Sequence, residues 1–217
     1  MESKHEVIAA TKVTPASIDD AHMLKEMIEA QEQNTQNNID AVVDDSKYGI
    51  IDTFVLLHDL GIKAHMPSLE ETHRGSGRQQ GIFPKETCTY HPDTNTFICP
   101  AGETLRRRHY NKNRKNYEYK ASAKICARCE LRKKGARAKD GRSLKRDARQ
   151  DELDIMVNEA KSKIAKRGIK HRQDLSERSF AWSTRYGYKR ARWRRLCPME
   201  IRDFPIAAIE NITVLAK

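Results

Sequence analysis

Between residues 41 and 67 the chain reads AVV, then IDTFVLLHDLG, then IKAHMP, once the turn residues between them are set aside. Two short apolar runs flank an amphipathic segment that Gly61 is placed to stop in the C′ role. Pro67 closes the second run. A strand, a helix and a strand in so few residues leave parallel pairing as the available solution. Upstream, EVIAATKVT (6–14) is rich in β-branched residues and reads as a further strand, punctuated by Pro15. Ser17 and Asp20 are spaced for a capping box. Ile18, Met23, Met27 and Ile28 then fall on one helical face, and NTQNN (34–38) breaks the helix. Residues 6–67 therefore predict β-α-β-α-β, an α/β layered fold with at least part of its sheet parallel.

Charge divides the chain differently. Its 217 residues carry 41 Lys+Arg against 30 Asp+Glu, a formal net charge of +11. A polyanionic partner follows from that excess, nucleic acid ahead of a membrane surface. The excess is local: residues 1–75 hold 6 basic and 14 acidic side chains, whereas residues 106–149 hold 18 and 4. No apolar run is long enough to span a bilayer, and no signal-type apolar stretch follows Met1. A soluble intracellular protein is expected. Five cysteines then point to free thiols or metal ligands rather than disulfides. Residues 82–150 show no clear period and read as an irregular, cysteine-bearing basic block. Helices are predicted over 151–167 and 172–184, and a last one starts at Pro205, with Pro198 in the loop before it and Phe204, Ile206, Ile209, Ile212 and Leu215 facing the core.

The first short strand ends on Asp44 and Asp45. Carboxylates at the C-terminal end of a strand sit where an α/β sheet opens into a crevice. One reading is a solvated turn stabilised by Asx hydrogen bonds. The other is a divalent-cation site, because neighbouring carboxylates repel and a hard cation relieves them.

In this order ATKVTPASIDDAHML, VVDDSKYG with LGIKAHMP, CPAGETLRRR with CARCELRKK, and LSERSFAWSTRYGYKRARWRRL with NITVL resemble insertion-sequence transposases of the DDE class. The resemblance spans nearly the whole chain. It implies an RNase-H-like fold, here partial, with a basic Cys-containing insertion and a helical C-terminal part: 1–70 the partial α/β core, 71–150 the insertion and 151–217 the completing helices. It implies Mg²⁺-dependent phosphodiester cleavage and strand transfer at transposon DNA ends, by two Asp and one Glu on two Mg²⁺ ions. Asp45 matches the second Asp of that set and Glu177 the Glu, both as Mg²⁺ ligands, and Arg172 matches an arginine that precedes the Glu. Asp44 occupies a slot where a small residue is usual, and Thr184-Arg185 stands where a Lys is expected. The first Asp belongs to a strand upstream of anything seen here, and no acid in 1–12, Glu2 and Glu6 included, has that context. The chain is accordingly expected to be a C-terminal, truncated portion of a transposase, inactive by itself for want of that acid. Transposon ends and target DNA are the implied partners, with a homo-oligomer and a cytoplasmic, nucleoid-associated setting.

Two further features belong to this reading. The segments 105–120 and 185–196 interleave basic and aromatic residues, as suits phosphate contacts with base stacking. Arg106, Arg107, Arg108, Lys112, Arg114, Arg172, Lys189, Arg190 and Arg192 are the candidate DNA-binding residues. Cys99, Cys126 and Cys129 are candidate ligands of a structural zinc, with Cys88, His91 or His109 as a fourth. The resemblance would place another Cys at 135, where this chain has Gly. Free thiols in a pinned basic loop are the alternative. Two other classes of function stay open: a catalytically inactive DNA-binding remnant, and a zinc-stabilised binding protein of unrelated role.

Overall fold

The computed structural model describes residues 1–2, 4–72, 81–188 and 195–216. It is a mixed α/β structure in two compact units, one made of Met1–Leu69 with Glu152–Lys217 and the other of Glu70–Asp151. No helix among the described residues is long and apolar enough to cross a membrane.

In the first unit, β1 (Ala41–Val43) pairs in parallel with β2 (Lys63–His65), with Val42 opposite Ala64. The helix α2 (Ile51–Leu60) crosses between them and ends on Gly61 at φ +69°, a backbone region glycine enters without strain. The helix α1 (Leu24–Thr35) adds Leu24 and Ile28 to a core of Phe54, Leu57, Ile62, Ala64 and Met66. Leu153 and Met156 complete that core from a later helix, described below as α6.

The expected strand over 6–14 is absent: residues 8–14 are irregular, and only Glu2 and Val7 form a bridge. The backbone of this segment finds partners in side chains instead of a ladder. Ile8 N–H donates to Asn211 Oδ1 (2.7 Å), Ile8 O accepts from Asn211 Nδ2 (3.0 Å), and Ala9 O accepts from Asn34 Nδ2 (2.8 Å). Nor does Ser17 cap the first helix; Asp19 does, accepting from Ala21 N–H over a 3₁₀ turn at Asp20–Met23.

The second unit follows the short α3 (Leu69–Thr72) and corrects the expectation of an irregular block. Five strands form an antiparallel meander: β3 (Thr89–His91), β4 (Thr96–Ile98), β5 (Thr104–Asn111), β6 (Asn116–Lys120) and β7 (Ser143–Asp147). Two short helices, α4 (Ala123–Arg128) and α5 (Arg132–Gly135), separate β6 from β7. Phe97, Leu105, Tyr119 and Leu144 are buried on one face of the sheet. Part of that face is made of tyrosines capped by cations, with the Arg107 guanidinium 4.7 Å from the Tyr117 ring centroid and that of Arg146 4.2 Å from Tyr90. Arginine at inward positions hides the two-residue period from a reading based on apolar alternation.

The remaining helices, all in the first unit save the first residues of α6, are α6 (Gln150–Ala160), α7 (Lys163–Arg185) and α8 (Leu196–Leu215). The break between α6 and α7 falls at residues 161–162, where Ser162 caps α7 by accepting from Ala165 N–H, rather than near 168–171. The last helix starts at Leu196, with Pro198 in its first turn and Pro205 inside it. Pro205 has no N–H for the Ile201 carbonyl, a defect of about 3 kcal/mol in an isolated helix. The expected core face of α8 also fails. Of its named residues only Ile206 is buried, while Phe204, Ile209, Ile212 and Leu215 are exposed. Its buried polar residues face inward instead: Glu210 accepts from Ser179 (2.7 Å) and from Ser183 on α7.

The two faces of α8 should respond differently to substitution. Ile206→Ala, at 7% exposure, is expected to cost about 2–4 kcal/mol in denaturant unfolding. Ile212→Ser, at 67% exposure, is expected to stay within about 0.5 kcal/mol. Equal losses at both positions would contradict this placement.

Candidate functional site

The tip of β1 is built by three constraints. First, Asp44 continues the parallel ladder, its N–H donating to His65 O (3.2 Å). Second, Asp45 to Gly49 form a tight turn, with Asp45 Oδ1 accepting from Lys47 N–H (2.8 Å) and Asp45 O from Tyr48 N–H (3.2 Å). Third, this turn lies directly on the segment after β2: Gly49 O accepts from Leu69 N–H (2.8 Å), and a Cβ at Gly49 would come within 1.9 Å of Pro67 O. Only a residue without Cβ fits that approach.

The helix α7 closes the site. It meets the sheet at Gly168, where a Cβ would sit 3.5 Å from His65 Nδ1 and 3.6 Å from Val43, an ordinary contact distance. One turn later Arg172 Nη2 donates to Asp44 Oδ1 (2.7 Å) and lies 3.8 Å from Asp45 Oδ2. Asp45 N–H also donates to Asp44 Oδ1 (2.8 Å). Asp44 is thus the enclosed acid, at 17% side-chain exposure, and Asp45 the outward one, at 46%. Burial pushes the Asp44 carboxyl above the ordinary carboxylate range, outweighing the Asp45 N–H bond and the Arg172 charge that oppose it. The Tyr48 hydroxyl is pushed up to about 12, first by burial and then by the charges of Asp44, Asp20 and Asp45.

The structure therefore brings Arg172 to the acid pair, 128 residues away in sequence, but joins it to Asp44 more closely than to Asp45. Glu177 lies on the exposed side of α7, its Oε1 accepting from Gln173 Nε2 (3.0 Å). Among the described residues, Asp44, Asp45 and Glu177 do not form a group with ligand atoms within 4.8 Å of one another. Such a group does occur elsewhere in the first unit: His58, Asp59 and Glu152, with His58 Nδ1 3.7 Å from both Asp59 Oδ1 and Glu152 Oε2. Sequence reasoning missed it because Glu152 joins the adjacent His-Asp only through the packing of α6 beside α2.

In the second unit Arg106, Arg107 and Arg108 lie exposed on β5, and Lys112 and Arg114 lie in the turn to β6. A bulge between Arg107 and His109 leaves Arg108 without an opposite residue. Arg106 stands directly opposite Lys120, whose Nζ donates to Asp140 Oδ2 (3.3 Å). Beside Arg107 and Tyr117, the Tyr110 ring lies 4.8 Å from that of Tyr117. Lys189, Arg190 and Arg192 lie outside the described residues. Cys88, Cys99, Cys126 and Cys129 line one pocket of this unit, together with Leu131, Arg132, Gly135 and Arg142. His91 and His109 do not line it; His109 is exposed and 3.3 Å from Glu118. All five cysteines are free thiols.

A family model described as transposase DDE domain matches residues 98–213 of the chain. Comparison with curated proteins and with solved structures gave no match.

Two measurements check the geometry at the tip of β1. Gly49→Ala is expected to cost about 3 kcal/mol or more in stability, because rigid backbone rather than a flexible side chain blocks the new methyl. Gly168→Ala should be tolerated. For Arg172 the effect depends on pH. The raised pKa of Asp44 means that its charge subtracts stability above that pKa and ceases to do so as the pH falls through it. Removing Arg172 enlarges that penalty, so Arg172→Ala should lose about 1–2 kcal/mol near neutral pH. The loss should shrink on acidification; one that grows instead would contradict the assignment.

Proposed function

The chain belongs to the transposase DDE-domain family, and on that premise we propose that it serves DNA transposition by holding transposon-end and target DNA through the basic surface of its second unit. The family match covers most of that unit and the helices after it. The observation that carries the proposal is the display of Arg106, Arg107, Arg108, Lys112 and Arg114 on an exposed strand and turn, within a stretch of 18 basic and 4 acidic residues. Phosphates neutralise such a surface and release counterions, and nothing in it reads base edges, so backbone contacts dominate.

The finer assignment treats the first unit as a partial RNase-H-like core and the second as its insertion. The order supports this, since Glu70–Asp151 falls between the two stretches that make up the first unit. The family resemblance would make Asp45 and Glu177 Mg²⁺ ligands and Arg172 a positioning residue. The residues as arranged do not fit a pair of Mg²⁺ ions. Asp44 Oδ1 is engaged by Arg172, and Glu177 is bonded to Gln173 away from the acid pair. This arrangement favours a chain that binds DNA without cutting it. Any zinc held by Cys99, Cys126 and Cys129 is structural, since a full set of thiolates leaves no open coordination position.

Two assays test the proposal. Replacing Arg106, Arg108 and Arg114 by Ala together should weaken duplex binding and reduce the slope of log affinity against log salt by roughly 2–3. An unchanged slope would remove the second unit from the DNA interface. Supercoiled plasmid with Mg²⁺ or Mn²⁺ is expected to stay intact in the presence of this chain alone. Nicking that disappears in Asp45→Ala and Glu177→Ala would overturn the non-cutting assignment and establish the two acids as metal ligands.

A further inference from the structure

We propose that Cys88, Cys99, Cys126 and Cys129 together bind one structural zinc ion, with Cys88, distant from the Cys-x₂-Cys pair in sequence, as its fourth ligand. The four thiols come from separate places in the second unit: Cys88 at the start of β3, Cys99 after β4, Cys126 in α4 and Cys129 at its end. They line the same pocket, which Cys197 does not. Three of them stand at tight turns. Cys99 O accepts from Gly102 N–H (2.8 Å), Cys126 O from Cys129 N–H (3.3 Å), and Cys129 O from Arg132 N–H (3.0 Å). Turns of this kind expose a side chain at a corner, where several can converge.

The surroundings carry the matching charge. A zinc ion with four thiolates has a net charge of −2, and Arg132 and Arg142 both line the pocket. Arg132 Nη1 is buried and has no hydrogen-bond partner, while its Nη2 donates to Ala138 O (3.1 Å). The Arg142 guanidinium is fixed by donation to Phe83 O (2.7 Å) and Gly135 O (3.1 Å). Gly141, at φ +91°, brings the backbone close to Cys126, where a Cβ would sit 3.0 Å from its Sγ.

No three of the four sulfurs lie within 4.8 Å of one another. Tetrahedral coordination at about 2.3 Å per bond would bring them to roughly 3.8 Å. Zinc would therefore draw the thiols inward and tie the α4–α5 excursion to the β3–β4 end of the sheet. A small unit with few buried apolar residues gains most from such a tie.

The assignment goes beyond the role in transposition and is measured without DNA, so its failure leaves that role standing. Metal analysis of the purified full chain should find one zinc per chain. Cys88→Ser should lower zinc affinity by roughly 100-fold or more, while Cys197→Ser and the double variant His91→Ala/His109→Ala keep it. The wild-type chain supplies a second readout, in case Cys88→Ser fails to fold. Alkylation followed by peptide mapping should show Cys88, Cys99, Cys126 and Cys129 protected with zinc and modified after chelation, and Cys197 modified in both. Background zinc in the wild type, full zinc retention by Cys88→Ser, or Cys88 modified equally with and without chelator would each overturn the proposal.

Discussion

An acid is enclosed at the end of β1 beside a guanidinium that the chain supplies 128 residues later. This pair organises the first unit. Asp44 is placed by the parallel ladder, which needs α2 to cross and return. Arg172 is placed by α7, which lies on the strands with Gly168 facing Val43 and His65 at ordinary contact distance. The turn carrying Asp45 is held against Pro67 by a backbone contact that only Gly49 permits. Burial alone would drive Asp44 toward its neutral form; Arg172 opposes that and ties the two halves of the unit together.

The second unit depends on a different balance. Its core is small and aromatic, with the Phe97 and Tyr119 ring centroids 4.9 Å apart at 80°. Arginines that cover tyrosines from the inner face serve as packing groups as much as charges. The outer side of β5 and the turn after it then carry exposed cations, Arg106, Arg108, Lys112 and Arg114 among them.

Local order was legible where it was set by neighbours in sequence. The elements β1, α2 and β2 lie where the apolar runs and Gly61 put them, because each element has its own periodicity and stop signal. The segment 6–14 misled because β-branched composition cannot say whether a strand partner exists; here Asn211 and Asn34 took that place. The meander of the second unit was illegible because tyrosines and the arginines stacked on them share its inner face with Leu105 and Leu144. In α8 the spacing of the apolar side chains was right and their direction wrong, since Glu210 found serine donors on α7 and drew the polar side inward.

By itself, then, the sequence determined the charge segregation, the strand-helix-strand unit with its terminal acid pair, and the ordered motifs that mark the transposase DDE-domain family. Those properties are local or additive and need no knowledge of distant contacts. Tertiary structure alone decided that Arg172 meets Asp44 before Asp45, that Glu177 lies apart from both, that His58 and Asp59 gain Glu152, and that Cys88 lines one pocket with Cys99, Cys126 and Cys129. Each of these is a meeting of residues from different segments, fixed by which faces pack and by where a missing Cβ lets the backbone come close.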